Sequence, residues 1–477
     1  MPPTPTRRHF LGSACCAAVG LTGMASALSA LRATAAAVSS NPALPSTTPP
    51  RAGAVPSDYR ALVCIFLNGG NDASNLIIPF DTGAGPTSYS AYAAARSVLA
   101  LPQAGLLPLS PKTSDGRAFA LHPSLTEMKS LFSSGKLALL ANVGSLAEPT
   151  TKAQYNAQSV KLPPQLFSHS DQQVQWQSSV PDQTFRTGWG GRTADLLNSL
   201  HTNNEVSMSV SLDGSNSFQV GNQVVQLAVQ PASGASPKGG PVAFQNTTGT
   251  NNPVRYAAQK DLFAGTHPNL FASAFGSLSS DAIGTSELLG TVLNGAPNLT
   301  TAFPATSLGN QLKTIAYLIS ISSALNLKRQ VFFARVGGWD THADQVDDIN
   351  RALGAHAGLL QQVSQGLNAF YNATVELGCS DRVTTFTASD FGRTYSSNGD
   401  GSDHGWGGHH LILGGSVKGG DIYGKMPTPT IGGPDDTTQG RWIPTTSVDE
   451  YSATLATWFG VLPGNLPVVF PNIGRFA

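Results

Sequence analysis

The chain has 477 residues, 40% of them hydrophobic, enough to bury a large core in one big domain or in two or three smaller ones. Its 28 Lys and Arg balance 28 Asp and Glu, and charged residues make up only 12%. That balance argues against a polyanion-binding surface, nucleic acid included, and leaves an exterior of Ser, Thr, Asn, Gln and Gly.

From the N-terminus, TRRHFLG (Thr6–Gly12) leads into a weakly apolar, Ala- and Gly-rich segment to about Leu31 and then into the small residues RATAAAVSS. This is the layout of a cleavable export signal. Over residues 1–37 it resembles a twin-arginine signal peptide with Arg7 and Arg8 as the pair. The resemblance implies the twin-arginine export machinery as a partner and a periplasmic or secreted destination. Gly12, Gly20 and Gly23 weaken the segment as a membrane span, so no anchor is expected after cleavage, and Cys15 and Cys16 leave with the peptide. Residues 38–57 are rich in Pro and Ser and read as a linker, so one domain, 58–477, remains. Of its two cysteines, Cys64 lies in an apolar run and reads as a small buried hydrophobe; a disulfide to Cys379 is the alternative.

Four short apolar runs read as buried parallel strands, and the residues after each carry the chemistry. ALVCIFL (Ala61–Leu67) runs into NGGNDASN, and KLALLANV (Lys136–Val143) into a long loop reaching LFSHSDQQ. QVFFARV (Gln330–Val336) runs into GGWDTH, and RVTTFTA (Arg382–Ala388) into SDFGR. Helical patterns lie between them, and SVDEYSATLATWFG opens with Ser447 and Glu450 at capping-box spacing. Repetition of helix, strand and polar loop predicts an α/β fold with a doubly wound, mostly parallel sheet. About residues 203–252, short β runs broken by DGSN and GNQ predict a small β-hairpin insertion.

In such sheets ligands bind beyond the carboxyl ends of the strands. That rule gathers Asp72, Asp340, His342, Asp390 and His404 into one cleft, and carboxylate oxygen with imidazole nitrogen suits divalent cations. Asn71, Asn75 and Asn398 offer supporting amides, or are simply turn formers. Asp403 is placed to orient His404. Ser168 follows the second strand as a nucleophile candidate, with Ser170 next, although an N-cap fits the same position. His169 and Asp171 read as ligands, substrate contacts or packing. Arg393 would clamp an anionic oxygen or pair with Asp390 or Asp400. GGDIYGKM approaches a phosphate-binding loop, but Met426 and Pro427 prevent a helix from opening there.

The motifs GGNDASN, SHSDQQ with GWGGR downstream, GGWDTHADQ, and SDFGRT through DHG to GGSVKGGDIYGKMP resemble the DUF1501 family of exported proteins, from about Tyr59 to the C-terminus. That family is similar to the alkaline phosphatase superfamily with its sulfatases. The resemblance implies an alkaline-phosphatase-like α/β fold, two divalent metal ions (Zn or Mn, with Mg or Ca as alternatives) and in-line displacement on a phosphate ester or, second, a sulfate ester. A small anionic ester or a polysaccharide would be the substrate. By the same resemblance Asp72 and Asp390 serve one metal, and Asp340, His342 and His404 the other. The sequence departs from the superfamily at Phe391, where a histidine is usual, and lacks a C-x-P-x-R or C-x-S-x-R sulfatase motif. A non-catalytic envelope protein that binds polysaccharide or assists export is the alternative function.

Overall fold

A computed structural model describes residues 55–113, 115–201, 205–234, 236–241 and 252–476; the signal peptide, most of the linker and part of the expected insertion lie outside them. Val55, the first described residue, is buried, and Arg382 Nη1 donates to its carbonyl at 2.8 Å.

Strand β1 (Arg60–Leu67) is buried along all but its first residue. On one side it pairs in parallel with β4 (Val383–Ser389), and on the other with β3 (Arg329–Val336). Leu67 is level with both Ser389 and Val336, so three chain segments leave the sheet at one edge. β2 (Leu137–Gly144) reaches β4 through β5 (Gly408–Gly414), antiparallel to both, and therefore runs the same way as β1. The main sheet is mixed but mostly parallel, as the buried runs predict.

Side chains of β1 alternate between two apolar layers. Ala61, Val63, Ile65 and Leu67 join Leu312 and Ile315 of α2 (Ser307–Ser320) and Leu360 and Leu367 of α3 (Ala355–Glu376). Leu62, Cys64 and Phe66 face the other way, onto Trp176 of α1 (His169–Ser178) and Leu455 and Phe459 of α4 (Val448–Phe459). A one-residue slip would swap both sets, each side chain worth about 1.5–3 kcal/mol of burial, so register is strongly specified. The Ser447–Glu450 capping box that starts α4 forms as its spacing predicts. Both cysteines are free, and their layers explain it: Cys379 belongs to the first and Cys64 to the second.

The expected insertion contains a small hairpin, Leu227–Gln230 antiparallel to Gly240–Pro241, and it is joined to the main sheet. Ser209–Ser211 pairs in parallel with β3, and Leu227–Gln230 in parallel with Ser209–Ser211, so both extend the main sheet. The chain between Ser211 and Leu227 is laid over the start of the helix Trp189–Leu197. A Cβ at Gly188 would meet the Phe218 carbonyl at 2.1 Å, and one at Gly191 the Val220 carbonyl carbon at 2.2 Å. That close approach explains the GWGGR glycines. Its Trp189 is buried in the core, as is Trp406.

Candidate metal centre

The loop after β3 turns sharply at Gly338 and places Asp340 and His342 at the sheet edge; a small antiparallel pair, Arg393–Ser397 with Ser402–His404, brings His404 over them. The first residue of α1, His169, arrives from the far side.

Four side chains meet there. Asp340 Oδ1 lies 3.0 Å from His342 Nε2 and 3.3 Å from His404 Nε2, and Asp340 Oδ2 lies 3.4 Å from His169 Nε2. Ligand atoms of His169, Asp340 and His404 all lie within 4.8 Å of one another, and His342 Nε2 is 2.9 Å from His404 Nε2.

The other ring nitrogens fix the tautomers. His404 Nδ1 is 2.7 Å from the Phe167 carbonyl, which can only accept, so Nδ1 carries the proton and Nε2 a lone pair. His169 Nδ1 donates to Asp390 Oδ2 at 2.6 Å and His342 Nδ1 to Asp403 Oδ1 at 3.2 Å. Three imidazoles therefore present Nε2 lone pairs inward, each held from behind by an oxygen acceptor, the pattern that orients metal-bound histidine. His169 Nε2 is buried with no hydrogen-bond partner; its contact with Asp340 lacks the necessary alignment. Two lone pairs 2.9 Å apart, a buried orphan nitrogen, and Asp340, Asp390 and Asp403 against Arg393 together fit a divalent cation.

The Asp390 hydrogen bond raises the pKa of His169, while burial lowers that of His404. Burial alone would raise Asp340, but the Arg393 hydrogen bond and charge hold it below the ordinary carboxylate range.

The remaining expected residues fall into place around this cluster or away from it. Asp390 is wholly buried, takes His169 Nδ1 and Gln173 Nε2 on Oδ2, and takes the Gly69 amide on Oδ1. Asp72 is removed from the cluster altogether. Its carboxylate is consumed by Arg96, by Gln345 Nε2 and by the Ser74 amide, and both members of the Asp72–Arg96 pair are wholly buried. Asp403 orients His342 rather than His404, and Asn398 Nδ2 supports it at 3.2 Å. Asn75 joins Tyr92 to the Leu99 carbonyl, and Asn71 accepts from His356 Nε2; both are structural.

Arg393 is no free clamp. Its guanidinium is buried and donates to Asp340 Oδ1 (2.8 Å), to the Gly69 carbonyl (3.0 Å) and to the Ser402 carbonyl, so it positions Asp340. Ser168 is the N-cap of α1 by backbone, yet its hydroxyl donates to Asp171 Oδ2 at 2.5 Å instead of capping an amide. Phe391 packs on the rings of His169 and His404, with centroids 4.8 and 4.7 Å away, and so walls two inward-facing imidazoles.

Comparison with known proteins finds a family model that matches part of the chain. Residues 322–439 match DUF1501, a protein family of unknown function. The DUF1501 segment contains Asp340, His342, Asp390, Asp403 and His404, while His169 comes from outside it. No curated protein matches the chain. Among solved structures it is similar to Ps i-CgsB in complex with k-i-k-neocarrahexaose, at 11% identity and a TM-score of 0.34 over 90% of this chain and 77% of that one. It is also similar to PsFucS1 sulfatase from Pseudoalteromonas sp., at 12% identity and a TM-score of 0.34 over 85% and 69%. No helix among the described residues is long and apolar enough to cross a membrane.

Proposed function

We propose that this is an exported hydrolase of anionic esters, phosphate ahead of sulfate, that depends on a single divalent cation. The observation carrying it is the convergence of His169, His342 and His404 Nε2 on Asp340, with every Nδ1 engaged from behind. One cation, not two, is proposed because Asp72 and Asp390, assigned by resemblance to the other metal, are spent on Arg96 and His169. Three imidazoles favour Zn²⁺ first. Bound there, such an ion supplies Lewis acidity toward an ester oxygen and offsets the carboxylate charge.

The chain's own residues have separable tasks. Arg393 fixes Asp340, Asp390 and Asp403 fix two imidazoles, and Phe391 excludes water from one side of the cluster. Ser168 is the nucleophile in this proposal. Its Oγ bonds to phosphorus as the ester oxygen departs, the Oγ proton passes to Asp171 Oδ2, and water then releases the phosphoryl group. Export rests on Arg7 and Arg8, which lie outside the described residues.

A panel of aryl phosphate and sulfate esters, offered to Zn- or Mn-loaded protein, tests the reading. Hydrolysis is expected, with S168A reducing it at least 100-fold and D171N less, at unchanged metal content. Inertness of loaded, folded protein across the panel would overturn it. A second reading, a non-catalytic envelope protein that binds polysaccharide or assists export, draws on one observation: Arg393 is fully paired, so it offers an incoming anion nothing.

A further inference from the structure

Beyond the divalent cation, a hydrolase of anionic esters needs a cationic side chain for the remaining anionic oxygens, and Arg393 and Arg96 are both buried and paired with carboxylates. We infer that Arg441 binds the anionic group of the substrate, a tetrahedral phosphate or sulfate oxyanion. The inference rests on the hydrolase reading and names the residue that selects its substrate class.

Arg441 is built into the centre from several sides. Its Nε donates to the carbonyl of His404 at 2.7 Å, and its guanidinium lies over the ring of Phe167, 5.1 Å from the centroid. Phe167 in turn accepts His404 Nδ1 on its own carbonyl. Arg441, Phe167 and His404 thus close a triangle that ties the guanidinium to the backbone of a cluster histidine and to the residue that directly precedes Ser168. Stacking on the ring face holds the planar head at little cost and leaves its edge free.

That edge is available. Nη1 donates to Gln439 Oε1 at 2.9 Å, and among the described residues no carboxylate pairs with Arg441, which is half-buried. Guanidinium carries five N–H donors, so several remain for a tetrahedral anion, in the forked geometry that suits two of its oxygens.

The loop carrying it is held in an unusual backbone. Gln439 and Gly440 are both left-handed, at φ of 58° and 74°. A Cβ on Gly440 would meet Tyr395 Cβ at 2.2 Å, and the Gly440 amide donates to buried Asp436 Oδ1 at 2.8 Å. A left-handed non-glycine residue costs free energy, and here it stands two residues before a part-exposed arginine that no carboxylate pairs among the described residues.

The test is calorimetric titration of inorganic phosphate, and separately of sulfate, into metal-loaded and metal-stripped wild type and R441M, with metal content measured on the same samples. Loss of a charge-assisted pair predicts roughly 10- to 100-fold weaker anion binding in R441M. Metal content is expected to stay at the wild-type level, and R441K should recover part of the affinity. The anion bound more tightly by wild type identifies the ester class. Equal anion affinity in wild type and R441M, or no binding of either anion to metal-loaded wild type, would overturn the inference. So would loss of metal together with the anion in R441M, which would make Arg441 a positioning residue for His404. If wild type holds no metal, the hydrolase reading fails by itself, and the metal-stripped titrations still decide the role of Arg441.

Discussion

Asp390→Asn is the most informative single change, because it removes a charge while keeping the shape. In the wild type Oδ2 accepts from His169 Nδ1 at 2.6 Å and Gln173 Nε2 at 2.9 Å, and Oδ1 accepts from the Gly69 amide at 3.1 Å. Every contact is a donor aimed at a carboxylate, so an amide fits neither way round. With its oxygen toward His169, the amide nitrogen faces the Gly69 N–H, donor against donor. Flipped, its N–H donors face Nδ1, drive the imidazole proton to Nε2 and remove the lone pair that faces Asp340. Changes behind a metal-bound histidine typically weaken binding by about 10- to 100-fold, which is roughly 1.4–2.7 kcal/mol. Zn²⁺ affinity measured by competition with a chromogenic chelator should fall by that factor, while circular dichroism shows a native fold. Wild-type affinity in folded D390N would mean that His169 is not a ligand.

Further expectations separate structural groups from the centre. Arg96→Met leaves the buried Asp72 carboxylate uncompensated and should cost about 3–5 kcal/mol in denaturant unfolding, with the metal content of the folded fraction unchanged; metal loss at unaltered stability would restore Asp72 as a ligand. Gly70→Ala puts a Cβ at φ 88°, 2.5 Å from the Phe391 ring. It should destabilise by about 1–2 kcal/mol and weaken metal binding through the displaced ring, and a variant indistinguishable from wild type in both would refute the packing role of Phe391. Burial raises Asp449 from 3.8 to about 7. The folded state then holds a proton that the unfolded chain has released, so stability falls as pH rises from about 4 to about 7 and stays low above it. The cost is at most about 4 kcal/mol. Asp449→Asn should flatten that slope and raise stability at pH 8 relative to wild type, and an unchanged slope between pH 5 and pH 8 would show another group to be responsible.

The parallel strands were legible because ALVCIFL and QVFFARV are apolar on both faces, which only a sheet covered on both sides tolerates. Asp340, His342 and His404 were legible because Trp-Asp-Thr-His and Asp-His-Gly stand directly after or beside such strands. Asp72 misled for the same reason: it too ends a strand, but the partner that decides its role, Arg96, sits at the end of a helix that only the fold brings back. His169 could be named but not assigned, since nothing in SHSDQQ indicates that its ring will meet Asp390. The segment around Ser209–Gln230 showed its β character but not its partner, because pairing with β3 depends on contacts with the Gly188–Gly191 turn. In the helices Asn252–Ala264 and Leu270–Asn294, Leu262, Leu270, Phe271 and Phe275 are exposed, and the second helix reaches the core through Leu289, Val292 and Leu293 near its end.

Elemental analysis of the mature, natively exported protein tests the single-cation centre most directly, with D340A/H404A and D72N measured alongside it. One equivalent of metal per chain is predicted for the wild type and for folded D72N, and none for the double variant. Two equivalents in the wild type with one lost in D72N, or no metal under conditions that load a control metalloenzyme, would contradict it.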